Sequence, residues 1–534
     1  MKVYIEDGKI FLECDYHHRE LAKAIPCYKW DNQLGLWRYP LTVPVARAMQ
    51  TIIGGDALLE SPCGRGLIQM VREHDEHQRV KLMGNLPDHP SRTPSWNHQK
   101  QAYQFALPLR SAGIFMEMGT GKTKVAVDLM SNRKHRKILV LCPKRVIGVW
   151  GREIPKHARE IPRSVLLNKG TSKRKVKLLQ GIDSPDPVVV VANYDAVWRE
   201  PLASELLKFG FDMVVCDEMH RIKSPNGKAS KFVAKIGQKA EYRLGLTGTP
   251  MPHSPADIYA QYRFLEPTVF GTNYTKFLSR YAVMGGYEGR QIVAFKNKQE
   301  LYEKVYEIAF RVRSKDVLDL PEPIFETVEF DLNPSSKKIY KTLLKEAVAE
   351  YGDKQVVTDN ILTQFLRLQQ ITSGFLPGGD GVDIINNDKI KVFKDLLEDI
   401  DKDEPITVFY RFKQDAVQMR QVVEEMGREC YEISGSVDDL EVWKGRINGS
   451  VILVQIQSGG EGEDFTKSRY TIYYSLTFSL KDYEQSKFRT LRPGQTRQPI
   501  YYHLVATETL DEHIMKSLQQ KRDVVSDILE RFSI

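Results

Sequence analysis

Cysteine is scarce in this 534-residue sequence, and the few cysteines that occur stand alone. There are six of them, and no C-x-x-C pair is present, which argues against a structural zinc site. Cys142 and Cys216 lie inside apolar runs, as expected of reduced thiols in a protein core. Scattered, unpaired cysteines favour an intracellular protein over a disulfide-stabilised secreted one.

Long apolar runs and a strong charge of one sign are also missing. No run approaches the ~18 residues needed to span a bilayer, and the opening residues MKVYIEDGKIF lack a continuous apolar signal segment. Lys and Arg number 77 against 69 acidic residues, a formal net charge of +8. This mildly basic balance is compatible with nucleic acid but does not indicate it alone. We therefore expect a soluble, intracellular (cytoplasmic or nucleoid-associated) protein without membrane contact.

The first 88 residues predict a small α+β domain. Asp7-Gly8 stands between two stretches of alternating apolar and polar residues, which is a hairpin signal. A helical stretch and a second strand–turn–strand pattern follow. The polar, Pro-rich segment 85–97 is typical of a linker.

From about residue 98 onward, short apolar strands alternate with helical stretches, which indicates parallel sheets covered on both faces. The length of the chain is too great for one core. We predict one α/β domain over 89–325 and another over 326–534. The expected strands of the first are 113–118, 137–143, 187–194, 211–218 and 242–249, and those of the second are 406–410, 430–434, 451–455, 470–475 and 500–505.

The segment MEMGTGKTK (116–124) has the features of a phosphate-binding loop between a strand and a helix. Its glycines let backbone N–H groups point at phosphate oxygens, and the helix start adds its positive dipole end. Lys122 is placed to reach the β- and γ-phosphates, and Thr123 offers a hydroxyl to Mg²⁺. Met116 stands where the strict pattern has glycine. The predicted nucleotide contacts are Met118, Gly119, Thr120, Gly121, Lys122 and Thr123.

Two carboxylates end a second apolar strand, VVCDEMH (214–220). Asp217 is suited to hold Mg²⁺, and Glu218 to orient and activate the attacking water. An acidic pair at this place also occurs as an ordinary helix cap. With the phosphate-binding loop upstream, the pair predicts nucleoside triphosphate hydrolysis, with ATP and Mg²⁺ as cofactors.

Further segments resemble the motifs of Swi/Snf ATPases of helicase superfamily two, in the same order. DEMHRIKSPNGKAS resembles their Asp-Glu-Ala-His motif, and LGLTGTPM resembles motif III. The resemblance implies two tandem RecA-like P-loop domains that form a DNA-dependent ATP hydrolase of the helicase type. The other matching segments are 98–103 (Gln motif), 141–150 (motif Ia), 312–323, 365–374, 408–412 (motif IV), 457–466 (motif V) and 485–505 (motif VI).

The resemblance also implies roles for single residues. Gln99 would read the adenine edge, and Gly462 and Asp464 of motif V would serve the nucleotide site. Arg489 and Arg492 of motif VI would act as arginine fingers that stabilise charge on the transferred phosphoryl group when the lobes close. Hydrolysis would then be coupled to lobe movement.

Motif V departs from the family pattern, because Glu461, Glu463 and Asp464 stand in a region where Leu and Asn are usual. Negative charge beside a nucleic-acid backbone opposes binding. Leu491 also replaces the usual His. The stretch between motifs III and IV is compact, so remodelling of nucleosomes is not implied.

The segment 24–41 resembles the HARP domain, which in annealing helicases precedes the motor and directs it to branched or forked DNA. Trp30, Trp37 and Arg38 are candidates for stacking on exposed bases or packing on the DNA backbone; the alternative is that both Trp rings fill the core of this domain. The basic runs 133–137 and 172–177 are either phosphate contacts or solvated helix ends. No base-reading element is visible, so we expect binding to the backbone and to DNA structure.

Three functions remain open from sequence. The chain is expected to be a double-stranded DNA translocase that acts on branched DNA or remodels DNA–protein complexes. A strand-separating or branch-migration helicase in replication, recombination or repair is the nearest alternative, although no strand-separating hairpin is identified. A DNA clamp without productive turnover is the third. The chain is expected to act as a monomer, and its protein partners are unknown.

Overall fold

The computed structural model describes residues 1–6, 8–83, 86–132, 136–160, 163–182, 186–252, 254–286, 291–352, 358–378, 381–457 and 463–520. The chain forms two compact units, Met1–Arg313 and Ser314–Ile534. Among the residues described, none of the helices combines the length and the apolar character needed to cross a membrane. The predicted domain limits at 88/89 and 325/326 stay predictions.

The N-terminal part of the first unit is an antiparallel sheet of order β1-β2-β4-β3. Glu6 pairs with Lys9, so that two residues connect β1 and β2, and Gly8 has a φ of 69°, which suits a tight hairpin. One face of the sheet packs on helices around a core that includes Ile10, Tyr39 and Met49. The elements are β1 (Lys2–Glu6), β2 (Lys9–Glu13), α1 (Arg19–Ala24), β3 (Lys29–Asp31), β4 (Leu36–Pro40), α2 (Val43–Ile53), α3 (Gly55–Leu59) and α4 (Gly64–Arg79).

The rest of the first unit is a parallel α/β domain, as the sequence predicts. Its strands are β5 (Ser111–Met116), β6 (Lys137–Cys142), β7 (Arg163–Leu166), β8 (Val188–Asn193), β9 (Met213–Asp217), β10 (Tyr242–Leu246) and β13 (Ala309–Val312), and a two-stranded hairpin consists of β11 (Ala282–Gly285) and β12 (Gln291–Phe295). The described part of the main sheet has the order β13-β5-β10-β9-β6-β8-β7. Val214 and Cys216 of β9 join one apolar cluster, whereas Met213 and Val215 join another, so the sheet is buried on both faces.

Helices surround this sheet on both sides. They are α5 (Asn97–Ala106), α6 (Lys122–Asn132), α7 (Ile147–His157), α8 (Ser172–Gln180), α9 (Tyr194–Val197), α10 (Leu202–Phe209), α11 (Lys228–Gly237), α12 (Ile258–Leu265), α13 (Pro267–Phe270), α14 (Tyr274–Tyr281) and α15 (Lys298–Glu307).

Residues 86–96 of the predicted linker 85–97 are bound to the α/β domain by side-chain hydrogen bonds. Ser91 Oγ donates to Asp128 Oδ1 of α6 at 2.7 Å, and Arg92 donates to the Pro155 carbonyl of α7 at 2.6 Å. Nearer the N-terminus, Gln78 Nε2 donates to the Glu307 carbonyl at 2.7 Å. The small N-terminal domain is therefore not joined to the α/β domain by a free linker.

The second unit is another parallel α/β fold. Its strands are β14 (Ile324–Phe330), β17 (Ile406–Tyr410), β18 (Cys430–Ile433), β19 (Val451–Gln455), β20 (Tyr470–Tyr473) and β21 (Ile500–Ala506), and a separate hairpin pairs β15 (Phe375–Gly378) with β16 (Gly381–Ile384). The described main sheet has the order β14-β21-β20-β17-β19-β18. The helices are α16 (Ser314–Val317), α17 (Pro334–Gly352), α18 (Thr358–Thr372), α19 (Asp388–Asp399), α20 (Lys413–Glu425), α21 (Leu440–Lys444), α22 (Leu480–Thr490) and α23 (Leu510–Gln519).

A buried ion pair joins α19 to α23 in the second unit. Lys389 Nζ lies 3.0 Å from Asp511 Oδ2, and each side chain is 1% exposed. The ammonium group also lies 5.6 Å from the centre of the Phe330 ring. Removing one partner of such a pair leaves a charge buried without compensation, which is far more costly than the pair is worth.

We expect Lys389→Met to destabilise the second unit by about 3–5 kcal/mol. Hydrogen–deuterium exchange of α19 and α23 across a urea series measures this loss locally. Lys391→Met changes an exposed lysine on the same helix and is expected to exchange like the unmodified protein. Equal exchange in the two variants would mean that the ion pair does not hold these helices together.

Candidate active site

The loop between β5 and α6 has the curled backbone that a phosphate-binding loop needs. Gly119 and Gly121 have φ values of 76° and 82°, in the left-handed region that favours glycine. Thr120 is buried, and its hydroxyl donates to the Glu117 carbonyl at 2.6 Å. Lys122 Nζ donates to the same carbonyl at 3.3 Å. The loop is thus held in shape by its own side chains.

Helix α5 supports this loop from behind. Gln99 Nε2 donates to the Thr120 carbonyl at 3.0 Å, while Gln99 Oε1 accepts from the Trp96 N–H at 3.0 Å. A ring nitrogen of His98 lies 2.9 Å from the same Thr120 carbonyl. A Cβ added to Gly121 would come within 2.2 Å of Gln99 Nε2, so a side chain there would displace the Gln99 amide from the loop. The described contacts of the Gln99 side chain are with backbone, and its role at the adenine edge stays a prediction.

Asp217 ends β9 as a buried carboxylate that several donors hold. Its Oδ2 accepts from Trp150 Nε1 at 2.9 Å, and its Oδ1 accepts from the Glu218 N–H at 2.9 Å. The Tyr194 hydroxyl donates to the Asp217 carbonyl at 2.7 Å. Burial and the adjacent Glu218 raise the pKa of Asp217 to about 6, against the opposing effect of Lys122. A nearby cation stabilises the charged form of a buried carboxyl group whose pKa is raised in this way.

Glu218 has an unusual backbone for a residue with a side chain. Its φ and ψ are both 50°, a left-handed conformation that costs on the order of 1–3 kcal/mol and concentrates at functional sites. Its Oε2 lies 3.2 Å from His220 Nδ1, which in turn lies 3.0 Å from the Thr247 hydroxyl. The acid motif is thereby connected to the Thr-Gly-Thr segment after β10.

The three loops meet because their strands are neighbours. β5, β10 and β9 are adjacent and parallel, so the residues that follow them lie at the same edge of the sheet. A Cβ on Gly248 would lie 3.4 Å from Glu117 Cα, which shows how closely the segment after β10 approaches the phosphate-binding loop. The structure therefore brings the predicted residues Lys122, Asp217 and Glu218 to one edge of one sheet.

The donor set at this edge fits a magnesium ion that is held largely by water and phosphate. Thr123 offers a hydroxyl and Asp217 a carboxylate, and Mg²⁺ in nucleotide sites is usually bound by one or two protein oxygens. In the described part of the chain, no group of three or more His, Cys, Asp or Glu side chains forms a dedicated metal cage.

In the second unit, motif VI contacts the described end of motif V. Arg492 donates to the Glu463 carbonyl at 3.2 Å, and the Phe465 N–H donates to the Arg489 carbonyl at 2.9 Å. Arg489 is only 6% exposed, whereas Arg492 is half-buried. Asp464 is exposed, and its Oδ1 accepts from the Thr466 N–H at 2.9 Å.

Some of the predicted features lie outside the described residues. These are Asp7 of the predicted hairpin turn, residue 85 of the predicted linker, residues 133–135 of the first basic run, and residues 458–462 of motif V, with Glu461 and Gly462 among them. In the second basic run, Lys173, Arg174 and Lys177 are exposed on α8, while Lys175 is buried. Burial lowers the pKa of Lys175, and Lys144 adds to this effect.

The N-terminal domain carries an exposed aromatic cluster. Trp30 on β3 is 51% exposed, so the interpretation that both Trp rings fill the core is wrong for Trp30. Trp37 packs against the core, and its ring lies 5.0 Å from the Trp30 ring and 5.7 Å from the Tyr28 ring. Arg38 forms an ion pair of 3.5 Å with Asp31.

The sequence did not point to Tyr194 or His98 as supports of the site. The Tyr194 contact spans 23 positions and the His98 contact 22 positions along the chain. Trp150 was noted only as part of motif Ia, and its contact with Asp217 spans 67 positions. No spacing rule reports such contacts, since they arise from strand order.

Several known proteins are similar to this chain over most of its length. "Putative protein p41" of Acyrthosiphon pisum secondary endosymbiont phage 1 is 25% identical, covering 79% of this chain and 95% of that protein. "DNA annealing helicase and endonuclease ZRANB3" of Bos taurus is 26% identical over 85% of this chain, which spans only 42% of that protein. The solved "SWI2/SNF2 ATPase core in complex with dsDNA" of Sulfolobus solfataricus is 23% identical, with a TM-score of 0.40, over 84% of this chain and 95% of that one.

Two family models match the chain in succession. The SNF2-related domain covers residues 95–374, and the helicase conserved C-terminal domain covers residues 388–494. The first alone accounts for more than half of the chain, and its limits include the phosphate-binding loop and the Asp217–Glu218 motif. The chain therefore belongs to the SNF2-related family and is an ATP hydrolase of the helicase type.

Proposed function

We propose that this protein is an ATP-driven translocase on double-stranded DNA that acts on branched or forked DNA. The observation that carries the proposal is the meeting of the phosphate-binding loop, the strained Glu218 and the Thr247 segment at one edge of the first sheet. A hydrolytic site tied to the backbone after β10 is suited to transmit changes at the phosphate to the rest of the domain.

In the proposed mechanism, Lys122 and the loop N–H groups bind the phosphates, and Glu218 accepts a proton from the attacking water at its carboxylate. Thr123 and Asp217 would hold Mg²⁺, which would neutralise charge on the phosphate oxygens. Trp150 and Tyr194 keep Asp217 in place. Arg489 and Arg492 are proposed to stabilise the charge of the transferred phosphoryl group.

The preference for branched DNA is proposed from the aromatic cluster of Tyr28, Trp30 and Trp37. An exposed indole is a stacking platform for an unpaired base, such as those at a fork. The relatives named as annealing helicases support the same proposal, although this chain spans less than half of their length.

We expect duplex or forked DNA to stimulate ATP hydrolysis strongly, and Glu218→Gln to lower the stimulated rate by about 10²–10⁴-fold. The assay compares no nucleic acid, single-stranded DNA, linear duplex, forked DNA and RNA. Glu241→Gln changes an exposed carboxylate of the same lobe and is the matched control. Displacement of the third strand of a triplex then reports movement along the duplex.

Stimulation by single strands or RNA alone would refute the translocase. No hydrolysis under any of these conditions would instead favour a DNA clamp without turnover.

We expect Trp30→Ala to weaken binding to forked DNA by about 5- to 150-fold, the equivalent of ~1–3 kcal/mol for one stacked base, without changing binding to linear duplex. Fluorescence anisotropy with both DNAs measures the two affinities. Tyr16→Ala removes another exposed aromatic ring of the same domain and serves as the control. Equal losses on fork and duplex would mean that the ring does not recognise an unpaired base.

A strand-separating helicase is a second candidate, because the first unit contains a hairpin that the sequence analysis did not identify. The described strands β11 and β12 form a two-stranded sheet apart from the main one, and Val283, Met284, Ile292 and Val293 are exposed on it. Exposed apolar side chains on a hairpin are suited to part a base pair.

If the hairpin separates strands, we expect the double variant Ile292→Ser/Val293→Ser to lose unwinding of a partial duplex while keeping DNA-stimulated hydrolysis. Val382→Ser on the β15–β16 hairpin of the second unit is the matched control. An unmodified protein that displaces a triplex strand but unwinds nothing would reject this candidate.

A further inference from the structure

Helix α17 in the second unit carries a line of lysines on one face. Lys338, Lys341 and Lys345 are exposed and follow the spacing of three and four residues that places side chains above one another on a helix. With Lys337 they line an open groove of about 700 Å³, together with Asp331 and uncharged residues. The opposite face packs into the core through Tyr340.

The acidic groups near this line are already engaged. Glu508 forms an ion pair of 2.6 Å with Lys337, and Asp331 accepts a hydrogen bond from the Thr507 hydroxyl. Within the described residues, no carboxylate forms an ion pair with Lys338, Lys341 or Lys345. Their ammonium groups therefore face solvent, and Lys341 interacts with Glu508 only as a charge at a longer distance.

This arrangement is not favourable for the helix itself. Like charges three or four residues apart destabilise a helix by a few tenths of a kcal/mol for each pair. The line also begins close to the helix N-terminus, where cations oppose the dipole, and the first turn contains no acidic residue. A solvated helix face usually mixes both signs, as α19 does with Lys391 and Lys394 beside Asp395 and Glu398.

The spacing of the lysines matches a nucleic-acid backbone. At 1.5 Å per residue, Lys338 and Lys345 lie about 10 Å apart along the helix axis. One strand of duplex DNA advances about 3.4 Å per phosphate, so this length corresponds to about three phosphates. Lysine is a flexible point charge that contacts phosphate without reading bases.

We propose that Lys338, Lys341 and Lys345 form a DNA-backbone contact on the second unit, outside the helicase motifs. The inference rests on the proposed action on duplex DNA and adds a surface to it. The contact supplies affinity that does not depend on sequence, and it leaves the chemistry at Lys122 and Glu218 untouched.

The test is the salt dependence of duplex binding by the triple variant Lys338→Gln/Lys341→Gln/Lys345→Gln. Log K falls with log salt, and each lost phosphate contact makes this slope less negative by about 0.9. The slope of the triple variant is therefore expected to be less negative by about 2–3. The control is Lys391→Gln/Lys394→Gln/Lys402→Gln, which removes three exposed lysines from the same unit. The net charge changes equally in the triple variant and the control, so a difference between their slopes reports a contact with DNA.

Measurements of ATP hydrolysis distinguish a failure of this inference from a failure of the proposed function. The triple variant is expected to keep its rate without DNA and its maximal rate at saturating DNA, while more DNA is needed for half-maximal stimulation. Thermal melting monitored by circular dichroism checks that both variants are folded. Equal slopes in the triple variant and the control would overturn the contact even if the protein is a translocase. An unmodified protein that does not bind duplex DNA would overturn the proposed function first.

Discussion

The adjacency of β5, β10 and β9 in one parallel sheet is the constraint on which the candidate site depends. Parallel strands end at the same edge, so the segments after these strands converge although they are far apart in sequence. The central strands are buried on both faces, which opposes a slip of register because their residues pack in two apolar clusters. The position of Glu218 relative to Lys122 is therefore set by the core.

Burying Asp217 creates a second requirement, since a carboxylate out of water must be satisfied by donors. Trp150 supplies an indole N–H from α7, and the Glu218 N–H supplies another from the turn itself. The same turn places Glu218 in the left-handed region, at an energetic cost that the surrounding contacts offset. The turn that places Glu218 in this conformation is thus also the turn whose N–H group helps to satisfy the buried Asp217.

Much of this fold could be predicted from sequence because a strand in the middle of a parallel sheet is a nearly continuous apolar run. Each of the ten apolar runs identified over the two α/β domains overlaps a strand of the structure. The main-sheet strands that were not predicted, β7, β13 and β14, are the outermost strands of their sheets, where one side faces solvent or a loop and no continuous apolar run is needed. In β14, for example, Glu326 and Thr327 are exposed.

The residues of the candidate site could be identified in the sequence for a related reason, while their roles stay predictions. Lys122, Asp217 and Glu218 belong to short local patterns, because each pattern is a strand end followed by a turn. The contacts of Tyr194, Gln99 and His98 depend on which strands and helices become neighbours, and that is decided by the whole domain. The hydrogen bonds of residues 86–96 could not be predicted for the same reason. The polar composition of this segment is that of a linker, whereas its hydrogen-bond partners lie on α6 and α7.

In the second unit, the lysines proposed to bind the DNA backbone lie outside the helicase motifs. Glu463 and Asp464 put negative charge in motif V, which would oppose a DNA backbone beside it, and the exposed Asp464 carboxylate accepts a hydrogen bond within a local turn. The lysines of α17 bring positive charge to the same unit but outside the motifs. Phosphate attraction is additive over many weak contacts, whereas hydrolysis depends on a few groups at fixed distances. If the proposed contact exists, changes at these surface lysines would alter the affinity for DNA without disturbing the candidate site in the first unit.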